Sequence, residues 1–263
     1  FTQGDIRDEA LLARLLSGVE VVFHLAAIPS VIFSVEHPVE SLSVNFHGTA
    51  QLAHNACRAG VRRVIFSSSC AVYGLHASGA VAEDRLPQPA SPYATAKLAC
   101  EHLLLNFFHL YGLETVCLRY FNVFGPRQDP ASPYGAVIPK FIHALLAGEP
   151  PVIFGDGRQT RDFVYAEQVA WTNLQAAHAP SGTVVNVGRG QSMDLWELLR
   201  LLQDISGVHT EPRMEAARAA GGRDSLAGTT LYRALFGEYP GFGVPDALTK
   251  TVSWYRKNFS RLH

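Results

Sequence analysis

The segment from Ser67 to Lys97 constrains the fold of this chain more than any other stretch. Before it lies Val64-Ile65-Phe66, an apolar run short enough to be a buried strand. After a polar loop, Pro92 opens a predicted helix, because proline is favoured in the first helical turn. A buried strand that ends in serines and leads to a helix is typical of an α/β fold, whose ligands bind where strands end.

Three polar side chains of this segment are expected to converge. Tyr93 and Lys97 are four residues apart and therefore share one face of the helix, and Ser69 ends the preceding strand. Tyr-x-x-x-Lys alone is a weak pattern, and on most helices it is an aromatic residue and a solvated lysine. The serine-rich strand end favours a functional interpretation, in which a hydroxyl, a phenol and an ammonium line one crevice.

This trio has a chemical use. A free tyrosine has a pKa of about 10 and is a poor base at neutral pH, whereas a neighbouring lysine and a bound cation both favour the phenolate. Lowering the pKa by ~3 units requires roughly 4 kcal/mol, which two charges in a dry site can supply. We therefore expect Tyr93 to take a proton from a substrate oxygen held by Ser69, with Lys97 sustaining the phenolate.

Length and composition narrow the class of protein. The 263 residues are 48% apolar and 17% charged, so they can bury a core as one large domain or two intimately joined ones. Lysine and arginine total 22 against 23 acidic residues, which argues against non-specific nucleic-acid binding. No apolar stretch approaches the ~20 residues of a membrane span, and no signal peptide opens the chain. We expect neither a nucleic acid nor a membrane as partner.

The cysteines and histidines lack the spacing of metal or disulfide motifs. The four cysteines are scattered, which predicts a reduced, cytoplasmic protein. The 11 histidines contain no H-E-x-x-H or paired ligand spacing, so we expect no metal. His24 is expected to pack at a strand end.

Periodicity and turn residues predict alternating strands and helices up to Tyr120, and shorter elements beyond it. The predicted helices are 9–16, 38–59, 92–111, 137–147, 166–177, 193–206 and 247–257. The predicted strands are 19–25, 63–68, 115–119, 152–154, 162–165 and 183–187.

A series of short motifs resembles the extended short-chain dehydrogenase/reductase family, in particular the NAD-dependent epimerases and dehydratases of nucleotide sugars, and is most similar to the UDP-glucose and UDP-N-acetylglucosamine 4-epimerases. Each motif is weak alone, but their common order over nearly the whole chain is specific. They are His24-Leu25-Ala26-Ala27, Asn45-Phe46-His47-Gly48-Thr49, the serines before Cys70, Tyr93 with Lys97, Arg119-Tyr120-Phe121-Asn122, and Gly155-Asp156-Gly157 leading to Arg161-Asp162-Phe163-Val164.

The resemblance implies a Rossmann-like, doubly wound parallel sheet with a smaller mixed substrate-binding subdomain. Residues 1–120 would form a partial NAD-binding domain, with later elements interleaved to about residue 190, and residues 121–263 mainly the substrate subdomain. No G-x-x-G-x-x-G occurs in the sequence, so the first strand–helix units would precede Phe1, and this chain alone would bind NAD poorly and lack turnover. The alternative is a variant that has lost cofactor binding.

The resemblance also implies the roles of individual residues. The NAD-binding residues would be Asp5 and Ile6 at the adenine, Leu25, Ala26 and Ala27 along the dinucleotide, Asn45 and Phe121 near it, and Tyr93 and Lys97 at the nicotinamide end. The substrate residues would be Ser69, Asn122, Arg161, Arg218 and Ser225. Arginine forks suit a diphosphate, but the chain has Arg218-Ala219-Ala220-Gly221 where the family commonly has Arg-x-Gly-Asp, and Arg223 is the alternative to Arg218.

The non-acidic residues Cys70 and Ala71 after Ser69 disfavour dehydration, for which the family uses a carboxylate there. The resemblance therefore implies epimerisation at C4 of a UDP-hexose or UDP-N-acetylhexosamine, with small Ser225 admitting an N-acetyl group. A 4-reductase or dehydratase, or a non-catalytic nucleotide-sugar-binding or interaction protein, stays open. A homodimer through helices 38–59 and 92–111 is also implied, although apolar residues of the second helix could instead pack within the chain.

Overall fold

The computed structural model describes residues 1–75, 79–131, 136–217 and 224–259. The strands are β1 (Val21–His24), β2 (Arg63–Ser69), β3 (Glu114–Tyr120), β4 (Asn122–Phe124), β5 (Val152–Phe154), β6 (Thr160–Arg161), β7 (Phe163–Tyr165), β8 (Thr183–Val187), β9 (Met193–Asp194) and β10 (Arg213–Glu215). The helices are α1 (Glu9–Leu15), α2 (Val31–Glu36), α3 (Pro38–Leu42), α4 (Gly48–Ala59), α5 (Pro92–Tyr111), α6 (Val137–Ala147), α7 (Ala166–Ala176), α8 (Leu195–Ser206), α9 (Thr230–Phe236) and α10 (Val244–Asn258). A π-helical turn, Ser43–His47, joins α3 to α4, and a 3₁₀ turn, Cys70–Tyr73, follows β2.

The central sheet is parallel, with the strand order β1-β2-β3-β8. Its inner strands are buried along nearly their whole length, as expected for a parallel sheet covered on both faces. One face packs on α1, α4 and α5 through side chains such as Leu12, Leu52 and Leu104. The other face packs on α7 and α9 through residues such as Val169 and Tyr232. This doubly wound arrangement confirms the predicted fold class.

A second core lies beyond the sheet. It is formed by α6, α8 and α10 together with β5 and β7, around buried residues such as Phe124, Phe141, Leu198 and Tyr255. Two-stranded pairs, β4 with β7, β5 with β10 and β6 with β9, connect these helices to the end of β3. The carboxyl ends of β2 and β3 therefore face the loops between the two cores.

Most predicted elements are confirmed, and the differences are short. The helices 92–111 and 137–147 and the strands 152–154 and 183–187 have the predicted bounds. The predicted helix 38–59 is interrupted by the π-helical turn, and the predicted helix 193–206 begins two residues later because Met193 and Asp194 pair with β6. The elements α2, α9, β4, β6, β9 and β10 were not predicted, since they have two to seven residues each and little room for periodicity.

Apolar residues of α5 are largely accounted for by packing within the chain. Leu104 is fully buried and Phe107 packs on the same core cluster. Phe108 lies against Gly182, where a Cβ atom would approach its ring to 2.8 Å. Among the described residues, no helix has both the length and the apolar character that crossing a membrane requires.

Candidate active site

The carboxyl end of β2 and the first turns of α5 form the centre of the site. The Ser91 hydroxyl accepts a 3.1 Å hydrogen bond from the Ala94 N–H and Pro92 occupies the first helical position, so the helix begins immediately before Tyr93. Ser69 is the last residue of β2 and caps the 3₁₀ turn by accepting a 3.2 Å hydrogen bond from the Ala71 N–H. The end of β2 and the start of α5 thus place the Ser69 hydroxyl beside the Tyr93 phenol.

Ser69 and Tyr93 are hydrogen bonded to each other through their side chains. Tyr93 is 9% exposed, and burial raises its pKa to about 12, while the hydrogen bond to Ser69 acts in the opposite direction. The sequence predicted a pKa lowered by Lys97. That prediction was made for the site with a bound cofactor cation and stays a prediction, because in the protein alone desolvation disfavours the phenolate.

Lys97 lies under the strand end. Its ammonium donates a 2.8 Å hydrogen bond to the carbonyl oxygen of Ser67 and lies 4.8 Å from the centre of the Phe66 ring and 5.8 Å from that of Tyr93. Lys97 is 4% exposed, and burial lowers its pKa to about 8, whereas the charges of Cys100 and Glu101 favour the cation. Among the described residues, Ser67 is its one hydrogen-bond acceptor, so two of its three donors remain for a ligand.

A buried ion pair that the sequence analysis did not assign lies next to this trio. The Glu101 carboxylate accepts hydrogen bonds of 3.0 and 2.7 Å from Arg119 and a further one from the Ser68 hydroxyl. Glu101 follows Lys97 by four residues, so the same helical spacing that links Tyr93 to Lys97 could have identified it. Its partner Arg119 lies on β3, and no local sequence pattern indicates that the two residues pair.

Asn45 binds the loop after β1 and not solvent or an open cleft. Its amide oxygen accepts a 2.7 Å hydrogen bond from the Ile28 N–H, and its amide nitrogen donates to the Ile28 carbonyl at 3.1 Å and to the Ser41 hydroxyl at 3.3 Å. The residue is 2% exposed. The sequence placed Asn45 among cofactor-binding residues. Its role at the cofactor stays a prediction, and the structure shows that its amide supports the loop after β1.

The other predicted cofactor residues surround this loop. Leu25 and Ala26 are exposed and Ala27 is half-buried at the end of β1. Ile6 packs on Gly48, where a Cβ would clash with it, and the exposed Asp5 carboxylate pairs with Arg7 at 2.6 Å, which lowers its pKa to about 2. The small residues Ala26 and Ala27 at the end of a parallel strand fit a dinucleotide that lies along the strand ends.

His24 is structural, as predicted. It is 3% exposed, packs on the Phe66 ring and lies 2.9 Å from the Thr49 hydroxyl. That hydroxyl donates to the Asn45 carbonyl at 2.6 Å, so His24 is the donor in the contact with Thr49. Burial lowers the His24 pKa to about 3, with a contribution from the charge of Lys97, and the ring is neutral.

The predicted substrate residues Asn122 and Ser225 are in direct contact. The Asn122 amide donates to the Ser225 hydroxyl oxygen at 2.7 Å and to the Asp162 carbonyl at 3.1 Å. Both residues are half-buried. Phe121, next to Asn122, is 5% exposed and packs among Val72 and its neighbours, so its ring is part of a core cluster and offers little surface to a cofactor.

Arg161 lies between the two groups of candidate residues. Its charge interacts with Cys70, beside Ser69, and with Asp224, beside Ser225, and burial lowers its pKa. Its guanidinium also donates to the Thr160 carbonyl at 2.8 Å. Arg218 and the alternative Arg223 lie outside the described residues.

Asp162 is a further residue to which the sequence analysis assigned no role. It is fully buried, and its carboxylate accepts hydrogen bonds from the N–H groups of Arg189, Gly190 and Ala227 at 2.8, 2.9 and 3.1 Å. Its own N–H lies 3.4 Å from the Ser225 hydroxyl oxygen. Asp162 therefore joins the loop after β8 to the segment that carries Ser225.

No group of three or more potential metal ligands occurs in the part of the chain that the structure describes. The site is thus built from hydroxyl, phenol, ammonium, guanidinium and amide groups at the ends of parallel strands, where ligands of open α/β sheets bind.

Comparison with known proteins places this arrangement in a family. The model of the NAD dependent epimerase/dehydratase family matches residues 1–188. UDP-glucose 4-epimerase from Mycolicibacterium smegmatis is 38% identical over 259 residues, which cover 97% of this chain and 82% of that protein.

Solved structures share the fold. UDP-glucose 4-epimerase from Thermotoga maritima with UDP-glucose has a TM-score of 0.95 at 36% identity, covering 98% of this chain and 85% of that chain. UDP-N-acetylglucosamine 4-epimerase from Methanobrevibacter ruminantium, in complex with UDP-N-acetylmuramic acid, has a TM-score of 0.94 at 38% identity, covering 98% and 83%. The chain belongs to the NAD dependent epimerase/dehydratase family.

Proposed function

We propose that this protein catalyses NAD-dependent epimerisation at C4 of a UDP-hexose or UDP-N-acetylhexosamine through a 4-keto intermediate. The observation that carries the proposal is the convergence of Ser69, Tyr93 and Lys97 at the carboxyl end of β2. The similarity to 4-epimerases over nearly the whole chain supports the same reaction class.

Each residue of the trio has a separate task. Tyr93, as phenolate, takes the proton of the sugar 4-hydroxyl, and Ser69, already hydrogen bonded to Tyr93, holds the same oxygen. Lys97 places its ammonium 5.8 Å from the centre of the Tyr93 ring, and its remaining N–H groups would bind the ribose of the cofactor. NAD, when bound, would bring a positive nicotinamide ring to the site and would supply the acceptor and donor for the hydride of C4.

The residues after Ser69 favour epimerisation over dehydration. Removal of water from the sugar requires a further acid–base group near the trio. Cys70 occupies the adjacent position, and burial raises its pKa to about 12, so its thiol is neutral and unreactive as an acid–base group at physiological pH. Ala71 has no titratable group.

The nucleotide sugar would lie between the trio and the segment around Ser225. The charge of Arg161 interacts with Cys70, next to Ser69, and with Asp224, next to Ser225, and an arginine suits the diphosphate. Asn122 and Ser225 form the polar edge of this region. We propose residues 1–120 as the cofactor part and 121–263 as mainly the substrate part.

The reaction is tested by incubating the chain with UDP-glucose and NAD and measuring UDP-galactose. Because the 263 residues contain no glycine-rich dinucleotide motif, NAD is supplied at millimolar concentration and its binding is measured separately by calorimetry. Formation of UDP-galactose without net reduction of NAD supports the proposal. Accumulation of a 4-keto-6-deoxy sugar, or tight NAD binding without inversion at C4, would contradict it.

We also propose a homodimer through residues 38–59 and 92–111. Leu42 and Phe46 are exposed on the first segment and Leu110 and Tyr111 on the second. Phe46→Glu should then yield a monomer in sedimentation experiments, whereas Leu86→Glu, which changes an exposed leucine in the loop before α5, should not. A wild-type monomer, or equal effects of both changes, would contradict this interface.

The free cysteines Cys57, Cys70, Cys100 and Cys117 support our proposal of a reducing, cytoplasmic location.

A further inference from the structure

One stripe of α5 faces three consecutive residues of β2. Tyr93, Lys97 and Glu101 follow one another at intervals of four residues and lie on the same side of the helix. Tyr93 bonds the Ser69 side chain, Lys97 bonds the Ser67 carbonyl, and Glu101 accepts from the Ser68 hydroxyl. The strand end is thus held at each residue by one turn of the helix.

The carboxylate of Glu101 is fixed by a cation on the neighbouring strand. Glu101 is 2% exposed and Arg119 is 4% exposed, and the guanidinium binds both carboxylate oxygens. A bidentate pair of this kind is short and directional. Arg119 is itself held by the Tyr73 hydroxyl at 2.8 Å, which in turn donates to Asn186 at 2.7 Å. The carboxylate therefore cannot turn toward Lys97 without breaking this buried network.

We propose that Glu101 is a positioning residue of the active site, which holds the strand end that carries Ser69 and keeps the Lys97 ammonium charged. Arg119 limits this effect, because it keeps the carboxylate on Ser68 and prevents a direct ion pair that would draw Lys97 away from its place below the phenol. The proposal rests on the proposed function for its catalytic meaning, but its electrostatic content is testable without turnover.

The charged and titratable groups around Lys97 set the direction of the effect. His24 faces it from β1, Tyr93, Cys100 and Glu101 from α5, and Arg119 lies behind Glu101 on β3. Burial lowers the Lys97 pKa to about 8, and the Glu101 charge opposes this. His24 is neutral above about pH 3. Loss of the Glu101 charge removes the anion that favours the ammonium and leaves the Arg119 cation unpaired.

The test uses the small number of lysines in the chain, which are Lys97, Lys140, Lys250 and Lys257. The full chain is labelled with ¹³Cε-lysine, and each ε resonance is titrated by NMR, with Lys97→Arg identifying the Lys97 signal. In Glu101→Gln the Lys97 midpoint should fall by about one to two pH units. This is the size expected for a unit charge one helical turn away at an effective dielectric constant of ~20.

Matched variants separate charge from packing. Glu101→Asp keeps the charge and Ser68→Ala removes one partner without changing charge, so both should leave the midpoint within about half a unit of wild type. Glu114→Gln removes a carboxylate that pairs with Arg62 and Arg63 at the other end of β3 and should have no effect. Equal shifts in Glu101→Gln and any of these three variants would overturn the proposal.

A variant of opposite sign keeps the test decisive if Glu101→Gln does not fold. Arg119→Gln removes the cation that holds Glu101, so the Lys97 midpoint should rise; an unchanged or lower midpoint would overturn the proposal. The pH profile of kcat/KM provides the catalytic readout, and its basic limb should move with the Lys97 midpoint. If the chain has no epimerase activity, the NMR shifts still decide the role of Glu101, so failure of the proposed function is distinguished from failure of this inference.

Discussion

The side-chain amide of Asn122 donates a 2.7 Å hydrogen bond to the hydroxyl oxygen of Ser225, although the two residues are 103 positions apart in the chain. The contact ties the segment after β3 to the segment before α9. Ser225 therefore lies at the edge of the site, with the Asp162 N–H 3.4 Å from the same oxygen. We propose that Ser225 reads the substituent at C2 of the sugar.

Enlarging Ser225 should exclude N-acetylated substrates. In Ser225→Tyr, kcat/KM for UDP-N-acetylglucosamine should fall at least tenfold more than kcat/KM for UDP-glucose, because the added ring competes with the acetamido group alone. Ser225→Ala is the control, since it removes the Asn122 contact without adding volume. Equal losses on both substrates in Ser225→Tyr would mean that Ser225 does not read C2.

Removing the Tyr93 hydroxyl should abolish most of the activity. Tyr93→Phe lacks the proton acceptor but keeps the buried ring, so kcat should fall by roughly 10²–10⁴ with little change in the unfolding midpoint. Steady-state kinetics and circular dichroism measure the two effects. Tyr165→Phe, at a buried tyrosine of the second core, is the control and should keep near-normal turnover. A Tyr93→Phe variant with comparable turnover would exclude Tyr93 as the base.

Replacing the Asp162 carboxylate by an amide should loosen the segment that carries Ser225. Asn at this position has one acceptor oxygen for three N–H groups, and a buried unpaired group costs about 1–3 kcal/mol. We expect Asp162→Asn to raise KM for the UDP-sugar about tenfold and to lower kcat less, because the contacts of Tyr93 do not involve Asp162.

Asp194→Asn is the matched control for this change. Asp194 accepts one N–H bond, from Glu197 at 2.7 Å, as the cap of α8, and asparagine caps a helix nearly as well. Its kinetics should equal those of wild type. A lower kcat with unchanged KM in Asp162→Asn would count against a role in holding the substrate segment.

His24 should make the protein less stable in acid. Its pKa is about 3 when folded and ~6.5 when unfolded, so between these values the unfolded state binds the extra proton. The contribution of neutral His24 to the free energy of unfolding is fully present above pH ~6.5. It is lost as the pH is lowered, by up to ~1.4 kcal/mol per pH unit. The free energy of unfolding, measured with urea from pH 4 to 7, should therefore depend more steeply on pH in wild type than in His24→Gln. Parallel slopes would mean that His24 titrates alike in the folded and unfolded protein.

The sequence predicts elements well where their ends carry local signals. Helix α5 has the predicted bounds because Pro92 opens it and Gly112, with a φ of 73°, closes it. Helix α2 has six residues, several of them β-branched, and its cap at Ser30 gives a signal too short to distinguish from a turn. Its existence depends on contacts with α3 and α5.

The site follows the same division. The spacing of Tyr93 and Lys97 predicts their common face, and the structure brings them to Ser69 as expected. The pKa of Tyr93 could not be predicted, because it depends on where the Lys97 ammonium points and on how deeply the phenol is buried. Glu101 and Arg119 meet across 18 positions and two elements, so their pairing requires the tertiary fold.

The π-helical turn Ser43–His47 rotates the side chains of α3 about the helix axis relative to those of α4. Each residue of an α-helix turns the chain by ~100°, so a turn with one residue more than an α-turn shifts the phase of everything before it relative to α4. Asn45 sits in this turn with its amide on the loop after β1, while Gly48 and Thr49 begin the frame that packs on Ile6 and His24. Deleting one residue here would keep the helix and rotate α3 about the helix axis, so a change in length would act on the loop after β1 as a change in direction.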